Sequence, residues 1–213
     1  MIKTIGKFAL LIAICTLLKL SLSSSTFVDI LTANTNKRDV ATKLYPYLTF
    51  NYPSQEYSPK LGKSFFGFKE ALAFKESRGD YFTVNKFGYM GKYQFGKSTL
   101  KMLGVNNSNQ FLKSPELQEK AFIANLQRNK WILRKDIKRF TGKTINGVLV
   151  TESGILAAAH LAGPGSVKKY LRSYGKNGFE DAFGTSIRFY MKKFSGYDTN
   201  SVKPNRKAKA TTV

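Results

Sequence analysis

Three short stretches of this chain carry side chains suited to proton transfer and to holding a polar, ring-containing ligand. The first is Glu76, which closes the apolar run ALAF and is followed by Ser77 and then by a Gly-rich aromatic segment. A carboxyl group half-buried among rings favours its neutral form, the form a general acid must carry. The plainer reading is an exposed helix-end glutamate paired with Lys75 or Arg78. The second stretch is GYMGKYQFG, Gly88 to Gly96. Its three glycines let backbone approach a ligand, while Tyr89, Tyr93 and Phe95 offer flat faces for sugar rings. Gln94 adds a donor and an acceptor. Taken alone, this stretch reads first as a ligand-free Gly-Tyr-rich hairpin. The third is AAAHLAGPG, Ala157 to Gly165. Its small residues permit close helix packing, and His160 is open to three roles: a satisfied structural histidine, a proton partner or a substrate contact.

Other chemistries fit poorly. The chain has one histidine and one cysteine, Cys15, which argues against a zinc site of the His/Cys kind. No Gly-x-Ser-x-Gly elbow is present for a serine hydrolase. The 35 Lys and Arg against 13 Asp and Glu give a net charge of +22, which predicts anionic partners. The hydrophobic share of 42% is too high for a wholly disordered polycation.

The elements that must position these side chains can be read from their boundaries. Met1 to Ser25 has a basic start at Lys3 and Lys7, an apolar run from Phe8 to Leu18, and then Ser23, Ser24 and Ser25. This is the pattern of a secretory signal peptide, and Lys19 makes the run too short for a spanning helix. Lipidation at Cys15 is disfavoured by the bulky Ile14 before it. Cleavage near Ser25 would lower the charge by three and remove the cysteine, leaving no disulfide. Residues 26–63 are expected to form a polar lead-in, residues 64–196 the folded domain, and residues 197–213 a basic disordered tail holding Lys203, Arg206, Lys207 and Lys209.

Within the domain, Phe65 to Phe74 reads as a helix that ends near Gly79, and Tyr81 to Gly96 as a short β-hairpin or ordered loop. Ser98 to Leu103 is a brief helix. Ser114 and Pro115 cap a long helix running to about Phe140. Thr151 caps a small-residue helix that Gly163 and Pro164 close. Val167 to Tyr174 and Ile187 to Phe194 complete a mainly α set.

Taken in order, these segments resemble the lysozyme-like domain of the soluble lytic transglycosylases, with a looser likeness to goose-type lysozyme. In that family a catalytic Glu is followed by Ser, as in ESRGDYFTVN here. A GLMQ-like motif follows, matched by GYMGKYQF, and then an AYNAGPG-like helix end, matched by AHLAGPG. A last helix carries a Tyr that touches the acid, matched by Tyr190 in SIRFYMKKF. The resemblance covers about Phe65 to Phe194. It implies an α+β, mainly helical lysozyme-like fold with a small hairpin or Gly-rich loop beside the cleft, and catalytic Glu76 and Tyr190. The expected substrate contacts are Ser77, Tyr89, Met90, Gly91, Tyr93, Gln94, Phe95, His160 and Gly163.

The activity implied is cleavage of the bond between N-acetylmuramic acid and N-acetylglucosamine in peptidoglycan, leaving 1,6-anhydromuramyl ends. No metal or organic cofactor is expected. The protein is expected to be an exported monomer acting on glycan strands, without nucleic acid as partner. The alternatives are a hydrolytic lysozyme on the same fold and a non-catalytic, basic wall-binding protein. Departures from the family pattern fall on substrate contacts: His160 and Leu161 replace the usual Tyr and Asn, Lys92 and Tyr93 an apolar pair, and Ser186 a common acid.

Overall fold

The structure, a computed structural model, describes residues 61–211. The expected signal peptide and nearly all of the polar lead-in lie outside the described residues. The rest is mainly α, with 52% of residues in helices and one two-stranded hairpin.

Helix α1, Phe65–Ser77, starts where the Ser64 hydroxyl accepts from the Gly67 N–H. It stops where Arg78 turns left-handed at φ 59° and its N–H, with that of Gly79, returns to the carbonyls of Phe74 and Ala73. Two short helices follow, α2 at Lys97–Met102 and α3 at Ser108–Lys113. Helix α4, Pro115–Phe140, is the 26-residue spine of the domain. Its first turn has the capping that the sequence calls for, with the Ser114 hydroxyl accepting from the Leu117 N–H and Pro115 at the first position.

The regular hairpin lies where no strand is expected, after α4 and not in the Tyr81–Gly96 segment. Strands β1, Thr144–Ile145, and β2, Val148–Leu149, pair antiparallel with Ile145 opposite Val148. Asn146 and Gly147 both take positive φ (49° and 74°), the two-residue turn that an Asn-Gly pair favours. Tyr81–Gly96 is an ordered loop held by isolated bridges, Val84 to Met90 and Met90 to Phe95.

Helix α5, Glu152–Arg172, is two helices joined at a kink. Thr151 caps the first by accepting from the Gly154 N–H. Gly163, at φ 74° and ψ 155°, breaks the ladder just before Pro164, which cannot supply an N–H to mend it. Helix α6, Ile187–Lys193, is capped by Ser186 and packs, like α4, against α5. A bidentate pair from Arg172 to the buried Asp136 (2.8 and 3.1 Å) fastens α5 to α4. Fully buried Phe68 centres the core on the α1 side, with ring contacts to Phe65, Phe122, Phe194 and Tyr197.

Residues 197–211 are not a disordered tail. Val202, Ala208 and Ala210 are buried, the Asn205 N–H donates to Gln127 O, and the Ala210 N–H donates to Leu103 O. Arg128 Nη1 donates to the Arg206 carbonyl at 2.7 Å, and the Arg206 guanidinium lies over Trp131. The segment lacks large apolar residues after Val202. Small alanines and backbone hydrogen bonds seat it instead, a mode of packing that composition does not reveal. Among the described residues no helix is long and apolar enough to cross a membrane.

Candidate active site

The last turn of α1 and the middle of α6 bring together the pair named from the sequence. The Tyr190 hydroxyl donates to Glu76 Oε1 at 2.5 Å, across 114 residues of chain. Tyr190 is 2% exposed, whereas Glu76 is half-buried. Burial first, and then the adjacent Glu76 charge and hydrogen bond, push the Tyr190 hydroxyl well above the ordinary tyrosine range, with a smaller push from Asp181. Tyr190 therefore stays a donor at any ordinary pH and fixes one oxygen of the carboxyl group.

Glu76 lines a cavity of about 610 Å³ whose walls include Tyr89, Gln94, His160, Leu161, Asp181, Phe183 and Tyr190. A neighbouring hollow of about 670 Å³ shares Phe87, Tyr89, Gln94, His160 and Leu161 with it and extends to Asn125, Arg128, Asn129 and Gly163. On the other side of Glu76, Ser77, Arg78 and Lys193 border a shallower hollow of about 410 Å³. The first two hollows share five lining residues, and the third shares Lys75 and Glu76 with the cavity, so together they define the groove around the glutamate. Phe87 and Phe183, from different loops, meet edge to face at 5.1 Å on its rim.

The expected contacts divide. Tyr89, Gln94, Phe95, His160 and Gly163 line the groove. Ser77 borders it and ties α1 to the Gly-rich loop, its hydroxyl donating to the Lys92 carbonyl at 2.8 Å. Met90, Gly91 and Tyr93 do not reach the groove: all three are buried. The Tyr93 ring is stacked 4.0 Å from that of Phe122, with its hydroxyl on both oxygens of Glu119. Gly91 is at φ 72° with the Gln118 side chain in the space a Cβ would fill, so its glycine serves packing and not a ligand. Of the three readings of His160, hydrogen bonding favours a satisfied residue in the groove wall. The Tyr93 carbonyl can only accept, so Nε2 carries the proton (2.8 Å) and Nδ1 accepts from the Asn125 amide (3.3 Å).

Beneath the Gly-rich loop lies a charge cluster that the sequence does not announce. The Lys92 ammonium reaches Glu70 at 2.7 Å, Glu119 at 3.0 Å and the Tyr81 hydroxyl at 3.1 Å, and Lys69 reaches the other Glu119 oxygen. Burial opposes the charge on Glu119, but hydrogen bonds from Lys69, Tyr81 and Lys92 outweigh it and hold its carboxyl down to about 2. Burial likewise opposes the Lys92 charge, and its hydrogen bonds to Glu70, Tyr81 and Glu119 win, raising it above the ordinary lysine value. The Gln118 amide completes the support, accepting from the Lys92 N–H and donating to Tyr81 O and Phe111 O. These bonds decide which face of the loop turns inward.

Sequence reasoning missed Asp181, Asn125 and Asn129. Asp181 shares the cavity with Glu76, and its Oδ1 is anchored by the Phe183 and Thr185 N–H groups at 2.9 and 2.7 Å. Nothing local places Asp181 there. It arrives because the loop before α6 folds back over the groove. Asn125 and Asn129 were legible as polar residues one turn apart on the buried helix face, which also carries Gln118 and Asp136. Among the described residues no group of three or more His, Cys, Asp and Glu side chains converges as metal ligands would.

Tyr190→Phe is expected to lower any Glu76-dependent rate by roughly tenfold, the scale of one hydrogen bond to a charged group. Thermal stability should hardly change, because the ring stays packed. A rate equal to the parent's in a steady-state assay would show that the hydroxyl does not position the acid.

No protein-family model, curated protein or solved structure matches this chain.

Proposed function

We propose that the protein is a peptidoglycan lytic transglycosylase on a lysozyme-like helical domain, working at the cell envelope after export. The observation that carries the reading is the short Tyr190–Glu76 hydrogen bond in the wall of a cavity that adjoins two further hollows. A carboxyl group held by a buried donor beside a groove is what glycan cleavage by general acid catalysis needs.

Glu76, protonated, gives its proton to the glycosidic oxygen as the bond to the muramyl C1 breaks, and the glucosamine leaves as its 4-hydroxyl. The substrate's own N-acetyl group stabilises the oxocarbenium-like centre, so no second carboxylate takes part. The Glu76 carboxylate then takes the proton of the muramyl C6 hydroxyl while O6 bonds to C1. That step closes the 1,6-anhydro ring and restores the acid. Tyr190 holds the carboxyl group for both transfers.

A second reading, hydrolysis by a lysozyme, is favoured by one feature: Asp181 in the same cavity, a second carboxylate able to activate water. The products separate the two. Purified peptidoglycan digested by the protein and analysed by mass spectrometry is expected to show 1,6-anhydromuramyl ends that borohydride leaves untouched. Fragments that are all reducible would replace the transglycosylase reading with the hydrolase. Wall that is bound but never cut would leave only a binding protein.

A further inference from the structure

The buried face of α4 carries four polar side chains, and Gln118 and Asp136 are fully bonded while Asn125 and Asn129 are less so. The two asparagines are 5% and 3% exposed, one turn apart among Ala121, Phe122, Leu126 and Leu133. An amide on such a face that has no protein partner and opens to a hollow is left to bond water or a ligand there. Asn125 is partly satisfied, since its amide donates to His160 Nδ1. The Asn129 side chain has no hydrogen-bond partner among the described residues, and it lines the hollow of about 670 Å³.

The charge around that hollow is one-sided. Arg128 and Lys97 line it, and no Asp or Glu does, whereas the adjoining cavity holds Glu76 and Asp181. Arg128 Nη1 is committed to the Arg206 carbonyl, which locks the guanidinium in place, while its Nε is buried without a partner. Amide donors beside an arginine and a lysine suit an acceptor-rich anion, a carboxylate above all. A neutral sugar ring would use the amides and waste the charge.

We infer that this hollow is a subsite for the carboxylate-bearing peptide substituent of the glycan, with Asn129 as its hydrogen-bond anchor and Arg128 and Lys97 as its counter-charges. The inference rests on the peptidoglycan reading above, because in that polymer the muramyl lactyl acids are neutral where amide-linked to stems, and the free acids there are on the peptide stems. It also accounts for Leu161: an amide missing from that position of the groove wall is supplied from α4 across the same hollow.

The test is calorimetric titration of the full chain carrying Glu76→Gln, so that ligands are not consumed. Two soluble glycan fragments of equal sugar length are compared, one with peptide stems and one stripped of them by an amidase and then amidated at the lactyl carboxylates that the amidase exposes. A third, with the stem carboxylates amidated, separates charge from peptide contact. The stem-bearing fragment is expected to bind about tenfold tighter than the other two, the scale of a hydrogen bond to a charged group. Asn129→Ala and Arg128→Gln should each bring that ratio close to one. Lys97→Gln changes an exposed side chain and keeps the fold, and it should lower the ratio by about threefold at low salt only. A ratio near one in the parent, or one that survives all three variants, overturns the subsite. If the wild-type protein still cuts wall in that case, the enzymatic reading stands alone. Failure to bind any fragment together with failure to cut wall removes both.

Discussion

Glu76→Gln is expected to cut cleavage of purified peptidoglycan by at least roughly a hundredfold, the lower end of what a positioned general acid contributes. Glutamine keeps the shape of the side chain and still accepts the Tyr190 hydrogen bond, so the groove should be unaltered. What it cannot do is give a proton to the glycosidic oxygen. The variant should therefore fold and melt like the parent and bind insoluble wall as well, while releasing almost no soluble fragments. A Glu76→Gln protein with parent-like circular dichroism and near-full activity would end the assignment of the acid. It would direct attention to Asp181, the other carboxylate in that cavity.

Lys92→Met should be the most damaging single change outside the groove. Lys92 is 5% exposed, and its ammonium is shared by Glu70, Glu119 and the Tyr81 hydroxyl. Methionine fills similar space but leaves those acceptors facing an apolar chain. Stability should fall by about 3 kcal/mol, the lower end for breaking a buried ion pair, because Glu119 keeps Lys69 and both carboxylates touch water. Urea unfolding measures this, and a loss under about 0.5 kcal/mol would show that the cluster is incidental.

The same cluster makes a pH prediction. The Glu119 carboxyl is held at about 2 in the folded state against an ordinary 4.5, so its contribution is complete above pH 4.5 and is lost as pH falls toward 2. Lys92 is raised, so its contribution is lost only at strongly alkaline pH and adds nothing to the acid limb. The parent should lose stability across that acid window. Lys92→Met, with one cation fewer beside Glu119, should show a smaller acid loss from its lower starting point.

Much of the helical frame was legible because its signals are local. Ser114 with Pro115, and Thr151, act within one turn of the helices they open, and Gly163 with Pro164 breaks the backbone ladder on the spot. Glu76 was legible from its place at the end of an apolar helix and from the motifs that follow it. The β-hairpin was within reach too, since Asn146-Gly147 is a strong turn signal, but attention to the aromatic Gly-rich loop drew the expectation of strands elsewhere.

Other features depended on contacts between distant parts of the chain. Tyr89 and Tyr93 look alike in GYMGKYQFG, yet one lines the groove and the other is fully buried against Phe122. Gln118 and Glu119 on α4 make that choice by bonding the Lys92 N–H and the Tyr93 hydroxyl. The C-terminal segment is seated by alanines that only fit because Leu103 and Gln127 offer carbonyls at the right spacing. By itself, the sequence determined most of the helices and the caps at Ser114 and Thr151, because capping and periodicity are settled within a few residues. Only the tertiary structure decided which aromatic rings face the groove, that Asp181 and Asn129 join it, and where the charges pair. Burial and desolvation set those outcomes, and they exist only once α4 has elements packed around it.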